Sequence, residues 1–322
     1  MRFLSKFYID GFILSIFAVV VLASVFPARG DGAEVVGWLT KIAIALLFLL
    51  YGARLHPPEA LAGLTHWRLH LTVLACTFVL FPLLGLAAHV LVPTVLTEDL
   101  YTGLLFLTLV PSTVQSSIAF TAIAKGNLAG AIVSATLSNL LGVFLTPALV
   151  ILLMNTTGQA EVDLGAIVDI VLQLLAPFLL GQLLRPRISG WLARHAESTK
   201  LVDRGSILLV VYSAFSAGMV EGIWQSMSPW RIVGLIAVCC VLLAIVLVAT
   251  AFVADLAKFD RADRIVVVFC GSKKSLATGL PMATVLFAGA PVGLIVLPLM
   301  IFHQVQLITC AALAQRWART AD

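Results

Sequence analysis

Apolar stretches of about 20 residues follow one another down this chain with almost no polar sequence between them, and each is long enough to cross a bilayer as a helix. With 61% hydrophobic residues, 11% charged residues and a mean hydropathy of +1.08, no connecting segment could form a soluble domain. The reading is an all-α integral membrane protein. Ten spans are predicted, at about residues 9–27, 36–54, 70–92, 100–124, 128–153, 165–184, 205–223, 232–254, 264–288 and 291–315. The longest polar connection, Arg185 to Arg204, reads as a loop with a short surface helix. The first 30 residues imitate a signal peptide, with Arg2 and Lys6 ahead of an apolar run from Phe12 to Phe26. No A-x-A-like cleavage site follows, so the segment is read as a retained first helix.

An even number of spans puts both termini on one side. If that side is cytoplasmic, the inner segments carry Arg2, Lys6, Arg54, Arg68, Lys125, Arg185, Arg187, Arg194, Lys200, Arg204, Lys258, Arg261, Arg264, Arg316 and Arg319. The outer loops carry only Arg29 and Arg231. This asymmetry fits the positive-inside rule and predicts a multi-pass protein of the cell (inner or plasma) membrane with both termini cytoplasmic. It also accounts for the net charge of +4 without an acidic partner, and no nucleic-acid partner is expected.

Several chemistries are excluded. The five cysteines, Cys76, Cys239, Cys240, Cys270 and Cys310, lie in or beside apolar segments without C-x-x-C spacing, and read as small packing residues rather than a disulfide or zinc framework. No P-loop, H-E-x-x-H or G-x-S-x-G sequence occurs, which argues against ATP-driven pumping and the commonest intramembrane hydrolases. No enzyme and no resident cofactor are expected, although a bound sodium ion is compatible with the polar residues described next.

Two segments depart from the apolar pattern. Span 9 reads FCGSKKSLATGLPMATVLF, with Lys273 and Lys274 adjacent in its middle. A cation at bilayer depth costs at least about 2.5–3.5 kcal/mol, and Gly271, Ser272, Ser275, Gly279 and Pro281 are poor residues for a helix interior. Span 4 reads VPSTVQSSIAFTAIAKGN, with Ser112, Thr113, Gln115, Ser116 and Ser117 just after Pro111, a helix breaker. Interrupted helices are tolerated in membranes only against protein or a water-filled cavity. Spans 4 and 9 are corresponding members of two five-span halves, residues 1–155 and 160–318, and Ser117-Ile118-Ala119 matches Ser275-Leu276-Ala277. Because five is odd, the halves insert in opposite orientations. Paired interrupted segments in inverted repeats point to a transporter's substrate site.

Other polar residues are candidates to join that site. Span 5 offers Ser134, Thr136, Ser138 and Asn139, and span 10 offers His303, Gln304 and Gln306. Helical spacing puts Thr136 with Asn139 and His303 with Gln306, as interhelical glue or as ligands. His303 could shuttle protons. Thr77, ahead of Pro82 in span 3, is a weaker candidate. Asp10, Lys41, Asp169 and Asp255 lie near span ends, where solvation accounts for them.

These residues carry a family resemblance. The run AKGNLAGAIVSATLSNLLGVFLTP (Ala124 to Pro147), with the preceding VPSTVQSS, resembles the bile acid:sodium symporter family, solute carrier family 10. The segments GARL (Gly52 to Leu55), QLLAPFLLGQLLRP (Gln173 to Pro186), GSKKSLATG (Gly271 to Gly279) and IFHQVQL (Ile301 to Leu307) are similar to its divergent branch, which holds the seventh member and bacterial relatives. The resemblance runs nearly end to end. It implies ten helices in two inverted repeats, a panel domain and a core domain, with broken fourth and ninth helices that cross. It also implies two sodium sites beside that crossing. In the family, a serine–asparagine pair on the fourth helix matches Ser116 and Ser117, and a ninth-helix glutamate and glutamine fall at Phe269 and Lys273. A third-helix glutamine falls at Thr77, and the paired hydroxyls of the fifth helix fall on Ala131 and Ala135, beside Thr136. The scaffold is kept, but the acidic ligand is lost and two cations are gained.

The expected function is secondary active transport of a small organic anion, coupled to sodium or protons, by alternating access where spans 4 and 9 cross. The alternative is a non-transporting regulatory membrane protein that keeps the fold. The expected site comprises Ser112, Thr113, Gln115, Ser116, Ser117, Thr136, Asn139, Lys273, Lys274, Ser275, His303 and Gln304, with Ser116, Ser117 and Ser275 as candidate sodium ligands. Lys273 or Lys274 is expected to replace one coupling cation, its ammonium among the hydroxyls of span 4; unlike sodium, a lysine can lose a proton. The charge asymmetry predicts that a cysteine introduced by Gly190→Cys reacts with an impermeant maleimide from the cytoplasmic side only. Labelling only from outside would reverse the topology.

Overall fold

A computed structural model describes residues 11–54, 66–154, 171–220, 222 and 228–319. Among these no strand occurs. The helices are α1 (Gly11–Val25), α2 (Asp31–Arg54), α3 (Trp67–Ala75), α4 (Phe81–Ala87), α5 (Glu98–Leu109), α6 (Gln115–Ile123), α7 (Leu128–Leu149), α8 (Ala176–Arg194), α9 (Ala196–Val220), α10 (Pro229–Leu256), α11 (Arg261–Gly271), α12 (Leu276–Leu286) and α13 (Val292–Arg319). Arg2, Lys6, Asp10 and Asp169, the start of the first and sixth predicted spans and the end of the seventh lie outside the described residues.

Among the described residues, six continuous helical segments are long and apolar enough to cross a bilayer: Asp31–Arg54, Trp67–Leu91, Leu128–Met154, Ala196–Val220, Pro229–Leu256 and Val292–Arg319. In α10 the outward side is as apolar as the inward side. Val241, Val248, Phe252 and Leu256 are exposed, while Leu235, Cys239, Leu242 and Val246 are buried. A helix that is hydrophobic all round needs an apolar solvent. The protein is a multi-pass membrane protein.

One expectation is corrected. The Arg185 to Arg204 connection is not a loop: α8 runs on to Arg194 and α9 starts at Ala196, with only His195 between. Leu, Ala and Arg are strong helix formers, and Trp191 stacks on His195 at 4.4 Å, so the polar segment continues both helices.

The chain forms two compact units. One comprises Met1–Leu55, Asn155–Ser228 and Leu280–Leu294; the other comprises His56–Met154, Pro229–Gly279 and Ile295–Asp322. Each draws on both halves of the sequence. In the first, α1 and α2 each pack on α9, and α2 packs along α8. The α2–α8 contact is made by glycines. A Cβ at Gly52 would strike the Phe178 carbonyl oxygen and one at Gly181 the Leu49 carbonyl oxygen, so the two backbones touch. The Gln182 side-chain amide donates to the Gly52 carbonyl at 2.7 Å, and Arg54 pairs with Asp203 on α9.

In the second unit α11 is central and packs against α3, α6, α7 and α10. Leu69, Val73, Ala131, Ala135, Ala254, Val266, Val267 and Cys270 form one apolar cluster around it. Phe120, Ile265, Phe269, Cys310, Ala311 and Ala314 form another. Side-chain caps start three of its helices: Thr97 for α5, Asn127 for α7 and Asp260 for α11.

The glycine contact in the first unit generates a prediction. Gly181→Val should destabilise the protein by about 1–3 kcal/mol or more, the usual cost of overpacking. Gly190→Val, where a Cβ meets nothing within 4 Å, should leave thermal unfolding unchanged. Equal melting of the two variants would contradict the packing.

Candidate functional site

Spans 4 and 9 are both interrupted, and both interruptions lie in the second unit. The first separates α5 from α6 at residues 110–114, and the second separates α11 from α12 at residues 272–275. The causes can be read from the backbone donors. Pro111 has no N–H to give the α5 ladder. The next donor, Ser112 N–H, goes instead to Ser138 Oγ on α7 at 3.1 Å. Carbonyls at the end of α5 are therefore left for other partners. Leu109 O accepts from Thr146 Oγ at 2.9 Å, and Thr108 O and Val110 O accept from the Lys274 ammonium at 2.7 and 2.8 Å. Pro111 O accepts from Ser275 N–H at 2.8 Å.

The second break is satisfied by the first. Ser112 Oγ donates to Cys270 O at 2.6 Å and Ser117 Oγ to Phe269 O at 3.2 Å. The Gln306 side chain on α13 grips the Lys274 peptide from both sides. Its carbonyl accepts from Lys274 N–H and its amide donates to Lys274 O, both at 2.9 Å. Ser275 caps α12 by accepting from Thr278 N–H at 3.2 Å. Close approach is built in: a Cβ at Gly142 would lie 2.5 Å from the Pro111 ring.

Both lysines are fully buried, and among the described residues neither forms an ion pair. Lys274 is held by three carbonyls. The third, Thr77 O at 2.9 Å, is freed by a local defect. The turn Cys76–Leu80 is a π turn in which Phe81 N–H bonds back to Cys76 O, and the following residue, Pro82, has no N–H. The Phe81 ring centre lies 4.2 Å from the same ammonium. Lys273 is held differently. Its oxygen partner among the described residues is Ser116 O at 2.9 Å, and the rings of Phe120 and Phe269 lie 4.0 and 5.2 Å from its nitrogen. The expectation that an ammonium sits among the span 4 hydroxyls is thus corrected. Both go to backbone carbonyls, because the hydroxyls are engaged: Thr113 Oγ with Ser116 Oγ at 2.7 Å and with Ser117 Oγ at 3.0 Å.

The structure gathers Ser112, Thr113, Ser116, Ser117, Lys273, Lys274 and Ser275 at the meeting of the two breaks. Asn139 joins through Thr278, whose hydroxyl donates to Asn139 Oδ1 at 2.9 Å and accepts from Ser275 Oγ at 3.0 Å. His303 joins through Gln306, whose amide lies 2.9 Å from its Nδ1. With Gln306 donating, Nδ1 accepts and the ring proton is on Nε2. Gln115 is exposed, and Thr136 and Gln304 are half-buried outside this hydrogen-bond network. The candidate sodium ligands divide: Ser116 and Ser117 share Thr113, whereas Ser275 is engaged with Thr278. Phe269, Ala131 and Ala135, which stand where the resemblance places oxygen ligands, are packed in apolar clusters. Ser138, Thr278, Gln306 and the carbonyls of Thr77, Thr108 and Val110 were absent from the expected site. Pro82 and Pro111 were the available signals, since each deletes a donor and orphans a carbonyl. Of the residues read as span-end solvation, Lys41 is exposed beside Trp38 and Asp255 pairs with Arg264.

Chemically, the arrangement is a buried junction of two lysines, hydroxyls and helix ends. Helix C-termini of α5 and α11 meet hydroxyl and ammonium donors, which suit their negative ends, and the N-termini of α6 and α12, which favour negative charge, start at the same place.

The profile of the SBF-like CPA transporter family matches residues 10–319. The chain is 54% identical to an uncharacterized protein of Pseudomonas aeruginosa, PA2026, over 98% of this chain and 95% of that one. It is 50% identical to the putative symporter YfeH of Escherichia coli, over 98% and 94%. It is 28% identical to sodium/bile acid cotransporter 7-B of Xenopus laevis, over 96% and 91%. Interrupted helices, buried charge and near-complete coverage agree: the chain belongs to the SBF-like CPA transporter family.

Proposed function

We propose that the protein is a secondary active transporter of a small organic anion, coupled to sodium or protons, with its substrate and ion site where the two helix breaks meet. One observation carries the reading. Two fully buried lysines, with no ion-pair partner among the described residues, sit at the junction of two interrupted helices. A buried charge is retained in a membrane when it serves a substrate or ion path, and an uncompensated positive junction suits an anion. Transport of an organic substrate with an ion is supported by the names of the relatives, a putative symporter and a sodium/bile acid cotransporter.

In this reading the chain crosses the membrane ten times, as two inverted repeats of five helices at residues 1–155 and 160–318, with both termini in the cytoplasm of a cell bounded by this membrane. Alternating access exposes the junction to each side in turn. Lys273 is the anion anchor. Its ammonium has one carbonyl partner among the described residues, leaving N–H donors for a carboxylate or sulfonate, whereas Lys274 spends three donors on carbonyls. Ser116, Ser117 and Thr113 place hydroxyl oxygens beside it, and a coupling ion taken there reorients the hydrogen bonds that now join them. Without a carboxylate, a sodium ion there would lean on neutral oxygens alone, which leaves a proton as the other candidate.

Counterflow of labelled organic anions in proteoliposomes tests this, with a sodium gradient and a pH gradient imposed separately. Lys273→Met should cut uptake roughly ten-fold or more, the worth of one charge-assisted hydrogen bond, and leave the melting temperature near that of wild type. Uptake unchanged in Lys273→Met removes the anchor. No counterflow of any anion from the wild-type protein would favour a regulatory protein that keeps the fold.

A further inference from the structure

Lys274 is held as a free cation would be. Thr77 O, Thr108 O and Val110 O converge on its nitrogen at 2.9, 2.7 and 2.8 Å. All three are backbone carbonyls, and each is released from a helix ladder by a nearby π turn or proline. Carbonyls have no hydrogen to offer and no shape preference for lysine. What they select is one positive charge stripped of water, as carbonyl cages do for alkali ions. Phe81 closes the apolar side at 4.2 Å, and Gln306 fixes the peptide from which the side chain springs. Lys273, with a single carbonyl and two rings, has no such cage.

We propose that this carbonyl cradle is a monovalent-cation site kept permanently filled by a tethered ammonium. The ammonium joins the π turn after α3 to the end of α5 and to the second break, so that the junction holds together without a dissolved ion at this position. The site's ligand class is a small monovalent cation: potassium, sodium or a primary alkylammonium. The proposal rests on the transport reading only for its consequence, that any coupling ion is taken at another position; the cradle itself stands on geometry.

The test is chemical rescue of full-length Lys274→Ala. The deleted atoms, Cγ to Nζ, are those of n-propylammonium. In choline buffer the variant should melt about 5 °C or more below wild type, a large shift for a chain of this size. It should recover at least about half of that loss, saturably, with n-propylammonium or potassium, while wild type does not respond to the same exchange. Lys274→Met, which is one atom shorter and has no charge, should be destabilised and should not recover, because its side chain occupies the path to the cradle. If Lys274→Ala folds only when n-propylammonium or potassium is present throughout, the proposal stands; failure to fold in every cation counts against it. It is overturned if choline and n-propylammonium act alike on Lys274→Ala, or if Lys274→Met is as stable as wild type. Counterflow on the same preparations reads transport separately. A wild-type protein that moves nothing leaves a cation response intact, and a stable, active Lys274→Ala without one removes the cradle alone.

Discussion

Everything at the centre of the second unit depends on two helix breaks satisfying each other. An unpaired backbone carbonyl or N–H in a membrane interior costs several kcal/mol, so an interruption in one span survives only if other groups take over its hydrogen bonds. Here Pro111 O takes the Ser275 N–H, and Ser112 and Ser117 hydroxyls take the Cys270 and Phe269 carbonyls. Each break is the other's solvent. The polar residues that looked in sequence like a cluster of ligands are, in large part, the groups that make unwound backbone tolerable, and they leave few atoms uncommitted.

The two lysines resolve the cost of buried charge in different ways. Lys274 is fully coordinated by oxygen, so its charge is spread over three carbonyl dipoles at or near helix ends, where negative partial charge accumulates. Lys273 meets aromatic faces and one carbonyl, a softer and less complete environment. A group that is fully satisfied favours a fixed structure, and one that is partly satisfied favours a ligand that completes it. In the proposed reading the pair divides structure from recognition, although the residues are adjacent in sequence and identical in type.

Much of the site was legible. Span 9 announced itself by two cations in an apolar run, and span 4 by a proline followed by hydroxyls, because hydrocarbon makes any polar residue conspicuous. Gln306 and Ser138 were visible as polar residues in spans, but nothing in their spacing said that one grips a peptide bond and the other takes a backbone N–H. Thr77 was noticed for its hydroxyl, yet that group bonds back to Val73 O within its own helix, and the carbonyl is the part that matters. Side chains are written in the sequence; carbonyl directions are not. The Arg185 to Arg204 segment departs from the loop expectation for a related reason. Its polarity suggests irregular structure, yet helix runs through Pro186 and Gly190 and stops only at His195.

The amino-acid sequence by itself determined the solvent, the helical class and the places where helices cannot continue, since apolar length, proline and buried charge act locally and need no partner to have their effect. It also determined the family, through segments spread over almost the whole chain. Only the tertiary structure decided which interruption answers which and that the ammonium groups go to carbonyls rather than hydroxyls. It alone decided that Lys273 and Lys274 have different environments. Those outcomes rest on distances between residues more than 150 positions apart, such as Lys274 and Val110. Hydrogen bonding over a few ångströms decides them, and no local pattern encodes that proximity.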